Sequence, residues 1–266
     1  MESSISKDLL IHLKEKVEWV TNQTLLIHKR APETRLASSL SAIEIFVSLY
    51  YGKILNFDPQ SPLGEARDRF IISKGHGSVS MYPILGDLGF FDIEELHNVC
   101  KEGSFLGAIP DPIVPGYETI NGSLGHGLGV ACGCAVALKR KKSNSKVFVL
   151  VGDGELYEGA NWESAMFAAH HQLDNLTVVV DYNKICMLGH CENVIDFFSL
   201  AEKFKAFHWD VEEVDGHSVE EVYLALDKYK TLENKKPKII VAHTLKGKGV
   251  PQLENKSLSH VMGLNS

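Results

Sequence analysis

The chain has 266 residues, 44% apolar and 23% charged, a balance ordinary for a globular protein that can build a full core. Its formal charge of −7 argues against a nucleic-acid surface or an anionic membrane, because both select a basic patch. No apolar run reaches the roughly 18 residues of a membrane span, and the length fits one large α/β domain over residues 1–266.

The amino terminus has neither a basic start nor an uninterrupted apolar stretch, so it reads as an amphipathic helix and not as a secretory signal. A cytoplasmic protein is expected. Ile5, Leu9, Leu13, Val17 and Val20 recur at helical spacing and predict a helix over 5–28. A second helix is predicted from Leu40 to Tyr51, and Asn56 to Glu65 is a loop. Arg69-Phe-Ile-Ile-Ser73 reads as a short buried strand ending in Lys74-Gly-His-Gly77, a turn that exposes backbone and an imidazole. Helices follow at 78–88 and 93–100. The irregular stretch 103–117 carries three of the nine prolines, and a loop of that length in a compact domain is usually functional.

A small-residue helix is predicted from Leu128 to Leu138, with the basic cluster Lys139–Lys142 completing its dipole at the carboxyl end. From there strands (147–151, 176–181, 211–214, 238–243) alternate with helices (159–171, 200–207, 219–229). That alternation predicts an α/β fold, a parallel β-sheet sandwiched by helices on both faces. The five cysteines (Cys100, Cys132, Cys134, Cys186 and Cys191) are odd in number and lack CxxC spacing, so they read as small core residues.

The chemistry gathers in Val147–Asn183. Asp153 and Asn183 stand 183 − 153 = 30 residues apart, each at the carboxyl end of a predicted strand, where open parallel sheets bind ligands. One carboxylate, one amide and the backbone carbonyl near Ile185 suit a divalent cation that also takes phosphate oxygens. Gly152 and Gly154 let the turn approach a diphosphate closely. Gly-Asp-Gly alone also marks a plain strand-end turn; its spacing and buried flanks favour the cation. Among the histidines, His76 stands out, between two glycines at a strand end.

This stretch resembles the thiamine-diphosphate motif, which opens with Gly-Asp-Gly and closes with Asn. With Arg69–Gly77, Glu118–Gly127, Asp210–His217 and Thr244–Gly249, the chain resembles the amino-terminal, diphosphate-binding half of transketolase, in the form split into two polypeptides. The resemblance implies that Asp153, Asn183 and Ile185 hold magnesium (or calcium or manganese). It places Gly154 and Glu155 along the diphosphate, Gly122 and Leu124 against the cofactor rings, and Met187 as an apolar neighbour of the cofactor. His76 and His126 would face the diphosphate or the substrate, and His260 would close the same side. Glu158 and Glu163 fall where the family keeps carboxylates at the dimer interface; a helix amino terminus would favour them too.

The family supplies its aminopyrimidine-protonating glutamate from a pyrimidine-binding domain that has no counterpart in these residues. The resemblance therefore implies a partner: a pyrimidine-binding subunit in a heterodimer or heterotetramer. Two family histidines are replaced, one by Arg35 and one by Ile109. Arg35 brings a permanent cation suited to a carboxylate or phosphate, and Ile109 makes its side apolar. The expected reaction is transfer of a two-carbon ketol or acyl unit to an aldehyde or sugar, with a sugar or a 2-oxo acid such as pyruvate as donor. The alternatives are a decarboxylating relative (a 2-oxo acid dehydrogenase component or a deoxyxylulose-phosphate synthase-like enzyme) and a non-catalytic regulatory subunit.

Overall fold

A five-stranded, all-parallel sheet in the order β1-β2-β3-β5-β4 carries the computed structural model, which describes residues 4–109, 111–120 and 122–264. Pro110 and Asn121, each within a stretch compared with the family, lie outside the described residues. The strands are β1 (Arg69–Ile72), β2 (Val147–Gly152), β3 (Leu176–Tyr182), β4 (Asp210–Asp215) and β5 (Lys238–His243). All residues of β2 are buried, as a central parallel strand covered on both faces requires.

Alternation along the strands divides the core between the two faces. Phe70, Ile72, Phe148, Leu150, Val179 and Ile240 point to one side. There they meet α1 (Lys7–Arg30), α2 (Leu36–Leu40), α3 (Ile43–Tyr50), α4 (Met81–Asp87) and α9 (Val219–Thr231). Val147, Val149, Val151, Val178, Val180 and Val241 point to the other. They pack on α5 (Gly127–Arg140), α6 (Gly159–His170) and α8 (Leu200–Ala206). Burying one such side chain contributes about 1.5–3 kcal/mol, so the sheet is the rigid platform. A single turn of helix, α7 (Cys191–Val194), precedes α8.

Three predicted helices differ in detail. The segment 40–51 is broken at Ser41 and Ala42 into α2 and α3, and the Ser41 hydroxyl there donates to Asp181 at 2.6 Å. The segment 78–88 begins as a 3-10 turn over Gly75–Ser80, pressed so closely on α2 that a Cβ at Gly77 would lie 2.5 Å from the Ser38 carbonyl oxygen. The segment 93–100 is a 3-10 turn over Ile93–Asn98; soon after it, Cys100 takes a left-handed φ of 61°. Lys139, at the end of α5, bonds Asp174 at 2.5 Å as a solvated helix end does. Among the described residues, no helix is long and apolar enough to cross a membrane.

Candidate active site

Four strands release their functional residues at one edge. β1 leads into Lys74 and His76, β2 into Asp153, β3 into Asn183 and β5 into Lys246. These residues line a cleft of about 270 Å3, together with Leu124, Gly152, Gly154, Glu155, Ile185, Met187 and His260. The cleft thus lies where parallel sheets expose strand-end backbone to a ligand.

Asp153 is 2% exposed and accepts hydrogen bonds from the amides of Gly154 (2.7 Å) and Lys184. Burial, and then the charge of Asp181, push its pKa up to about 7 against those two bonds. A carboxylate so placed lacks a full counter-ion. Asn183 donates its side-chain amide to Asp181 at 3.3 Å, and its oxygen accepts the Ile185 amide at 3.1 Å. Asp153, Asn183 and the Ile185 carbonyl are hard-oxygen donors at one strand edge, the set a magnesium-like cation favours. A divalent cation there would return Asp153 to its ionised form. The residues fit the metal. Among the described residues no three His, Cys, Asp or Glu side chains cluster as a metal site, and this set, with a single carboxylate, does not need such a cluster.

Cations form the wall. Lys74 bonds Asp181, the Ser38 carbonyl (3.0 Å) and the Ser41 hydroxyl (3.0 Å). Lys246 donates to the Ile185 carbonyl at 3.1 Å; burial and then the charge of Lys74 lower its pKa to about 8. His76 and His260 meet edge to face with ring centroids 5.2 Å apart. Burial and the neighbouring charges of Lys246, His76, Arg35 and Lys74 bring His260 down to about 4. His76 is lowered by burial and by Arg35, Lys74 and Lys246. Ser38 Oγ lies 3.1 Å from His260 Nδ1, which leaves Nε2 as the nitrogen free for the cleft.

Two glycines fit the close quarters. A Cβ on Gly154 would stand 2.8 Å from the Cβ of Cys186. Gly125 has φ +86°, and a Cβ there would lie 2.5 Å from the Glu158 Cβ.

The remaining sequence candidates take distinct places. Glu155 turns its carboxylate inward to the Ser73 hydroxyl and the amides of Gly125 (2.9 Å) and Gly152 (3.1 Å), tying the 122–127 loop to the strand end. Gly122 and Ile109 do not line the cleft; a Cβ on Gly122 would lie 3.6 Å from the Ile109 side chain, itself 39% exposed. Arg35 caps α2 beside the cleft and acts on both His76 and His260. His126, Glu158 and Glu163 are exposed and do not line the cleft. The first two cap α5 and α6 and the third lies on α6, so they face outward. Sequence reasoning assigns no role to Lys74, Asp181 or Lys246. The lysines stand inside Lys-Gly-His-Gly and Leu-Lys-Gly-Lys, and Asp181 is a lone carboxylate in a buried strand, a position that demands a partner.

Comparison with known proteins supplies the family. The family model described as transketolase, thiamine diphosphate binding domain, matches residues 30–266. The chain is 36% identical over 230 residues to the 6-deoxy-6-sulfo-D-fructose transketolase subunit SqwG of Clostridium sp. (strain MSTE9), covering 86% of this chain and 83% of that protein. It is 36% identical over 233 residues to an apulose-4-phosphate transketolase subunit of Phocaeicola vulgatus, covering 87% and 82%. The crystal structure of transketolase from Campylobacter jejuni superposes with a TM-score of 0.87 at 29% identity, over 96% of this chain but only 40% of that one. The chain belongs to the transketolase family of transferases, as its thiamine-diphosphate-binding, amino-terminal portion.

Proposed function

We propose that the cleft holds the diphosphate of thiamine diphosphate with a divalent cation, and that the chain is one subunit of a two-component, transketolase-like enzyme acting in the cytoplasm. Its carrying observation is Asp153, a buried carboxylate pushed up to about 7 beside a cationic wall. When bound, the cofactor supplies the covalent chemistry by which a two-carbon unit passes to an aldehyde or sugar acceptor. The chain's own residues bind and orient. Asp153, Asn183 and the Ile185 carbonyl would present oxygens to magnesium, calcium or manganese, His76 and Lys246 would face the diphosphate beside Lys74, whose ammonium Asp181 holds, and His260 presents a neutral imidazole near pH 7. Met187 and Leu188 line the cleft while 62% and 82% exposed, which suits closure by a pyrimidine-binding partner subunit. Glu158, Glu163 and His126 then serve at the subunit interface or on the partner's side.

The test is calorimetric titration of the chain, with and without a complementary pyrimidine subunit, using magnesium and thiamine diphosphate. Binding by the wild type and its loss in Asp153→Ala supports the reading. Absence of binding in the two-chain complex would instead favour a scaffolding subunit.

The substrate reading rests on Arg35, whose charge lowers the pKa of His76 and His260 and for which no ion pair with a carboxylate is found among the described residues. A free guanidinium favours an anionic group on donor or acceptor. The relatives named for a sulfo-sugar and a phospho-sugar are consistent with that. A 2-oxo acid donor meets the same chemistry, beside the apolar Ile109. Donor specificity of the reconstituted pair decides: rates with xylulose 5-phosphate unaffected by Arg35→His, and none with pyruvate, would refute an altered donor.

A further inference from the structure

The turn that follows β5, residues 244–248, carries Lys246 into the cleft, and three of its amides bond to groups outside the turn. Thr244 donates to the Tyr182 carbonyl at 3.2 Å and Gly247 to the Ala37 carbonyl at 3.0 Å. Leu245 uses a side chain: its N–H donates to His217 Nε2 at 2.7 Å. An imidazole nitrogen that accepts carries no proton, so the proton of a neutral His217 resides on Nδ1. That nitrogen lies 3.3 Å from Oε2 of Glu44, so the carboxylate's charge favours a proton on that side of the ring. Neither atom has a hydrogen-bond partner among the described residues, so each is the other's polar neighbour. Glu44 is buried on α3, and its second oxygen takes the Lys248 ammonium from the far end of the same turn. Gly216, next to His217, lies so flat on the turn that a Cβ would come within 2.4 Å of Thr244 Cγ2.

We propose that Glu44 and His217 form a strut from α3 to the Leu245 amide, making His217 a positioning residue that sets Lys246 in the cleft. Glu44 fixes the tautomer, the tautomer leaves Nε2 an acceptor, and the acceptor fixes the turn. Lys246 then reaches the Ile185 carbonyl across the cleft floor. The role in cofactor binding rests on the function proposed above; the strut itself does not.

The experiment compares His217→Leu with His217→Gln in the full chain. A glutamine oxygen reaches the ε position and can accept from Leu245, whereas leucine fills space only. Two quantities are read: hydrogen exchange at the Leu245 amide, and titration with magnesium and thiamine diphosphate. In His217→Leu, loss of a bond worth about 1.4 kcal/mol should speed exchange about tenfold and weaken cofactor binding to a similar degree. In His217→Gln both should stay within about threefold of wild type, since an acceptor is kept. Unchanged exchange in His217→Leu, or equal losses in both variants, would overturn the strut. Should His217→Leu fail to fold, His217→Asn, whose oxygen stops at the δ position, replaces it with the same expectation. A wild-type chain whose amide exchanges as expected but which binds no cofactor would overturn the cofactor reading and leave the strut standing.

Discussion

The ammonium of Lys74 lies against the carboxylate of Asp181 under the cleft, joining the end of β1 to β3 across the intervening β2. Burial by itself would raise the Asp181 pKa. The charge and hydrogen bond of Lys74, with the hydroxyls of Ser41 and Thr244, outweigh it and hold the group below the usual carboxylate range. Lys74 is thereby engaged by Asp181, while the charge of Asp181 pushes Asp153 up. One ion pair therefore both braces the floor and leaves the neighbouring carboxylate wanting a cation.

Removing one member of that pair strands the other in a dry environment. Lys74→Met should cost about 3–5 kcal/mol in urea unfolding, and the double variant with Asp181→Asn should cost less than the sum of the two. A single coincident transition by fluorescence and circular dichroism is expected if residues 1–266 fold as one domain. A Lys74→Met variant within about 1 kcal/mol of wild type would show that the pair is solvated.

Gly154 and Gly159 lie five positions apart and should respond oppositely to alanine. At Gly154 the new Cβ meets Cys186 Cβ at 2.8 Å and its Cα at 3.3 Å, so backbone must move. Overpacking of this kind costs about 1–3 kcal/mol, and the shift displaces Asp153 from Asn183, weakening metal binding. At Gly159, the first residue of α6, nothing lies within 4 Å, and alanine should stabilise by roughly 0.5–1 kcal/mol. Thermal melts with and without magnesium check both. A Gly154→Ala protein that binds metal like wild type would refute the close-approach role.

The sheet was legible because its central strands are nearly continuous apolar runs, Val147–Val151 and Leu176–Val180 with Thr177 the one polar residue, as two-sided burial requires. The Asp153–Asn183 spacing was legible because both lie just past such runs. Lys74, Asp181 and Lys246 were not, since their meeting depends on strand order. Placing β5 beside β3, out of sequence, brings Lys246 and Thr244 to Asp181, and hydrophobic pattern does not encode that order. The break at Ser41 escaped for the same reason: its hydroxyl answers to Asp181, 140 residues away.

Glu155 offers a test of how the loop over the cleft is fixed. Its carboxylate is the shared acceptor for Ser73, Gly125 and Gly152, and Ser73 in turn accepts from the Gly127 amide at 3.0 Å. Glu155→Ala should destabilise by roughly 1–3 kcal/mol for each buried donor left unpaired, and limited proteolysis should cut first within 118–127. Protection of that segment equal to wild type would mean that Leu124 and its neighbours are held by packing alone.

Lys238 gives a pH prediction away from the cleft. It is fully buried at the start of β5, where its ammonium donates to the carbonyls of Asp174 and Leu232. Burial, and then the charge of Lys146, lower its pKa from 10.5 to about 8. Between pH 8 and 10.5 the unfolded chain holds this proton and the folded chain releases it, so by linkage its contribution to stability rises with pH through that window. Below pH 8 the group is charged in both states and contributes no slope. Tyrosines and cysteines with raised values, Cys132 at about 12 among them, act in the opposite direction above pH 9. The informative quantity is therefore wild type minus Lys238→Met, which lacks this titration and keeps the others. That difference should be flat from pH 6 to 7.5 and climb toward pH 10 in urea unfolding. A flat difference throughout would show that the carbonyls of Asp174 and Leu232 hold Lys238 protonated across the range.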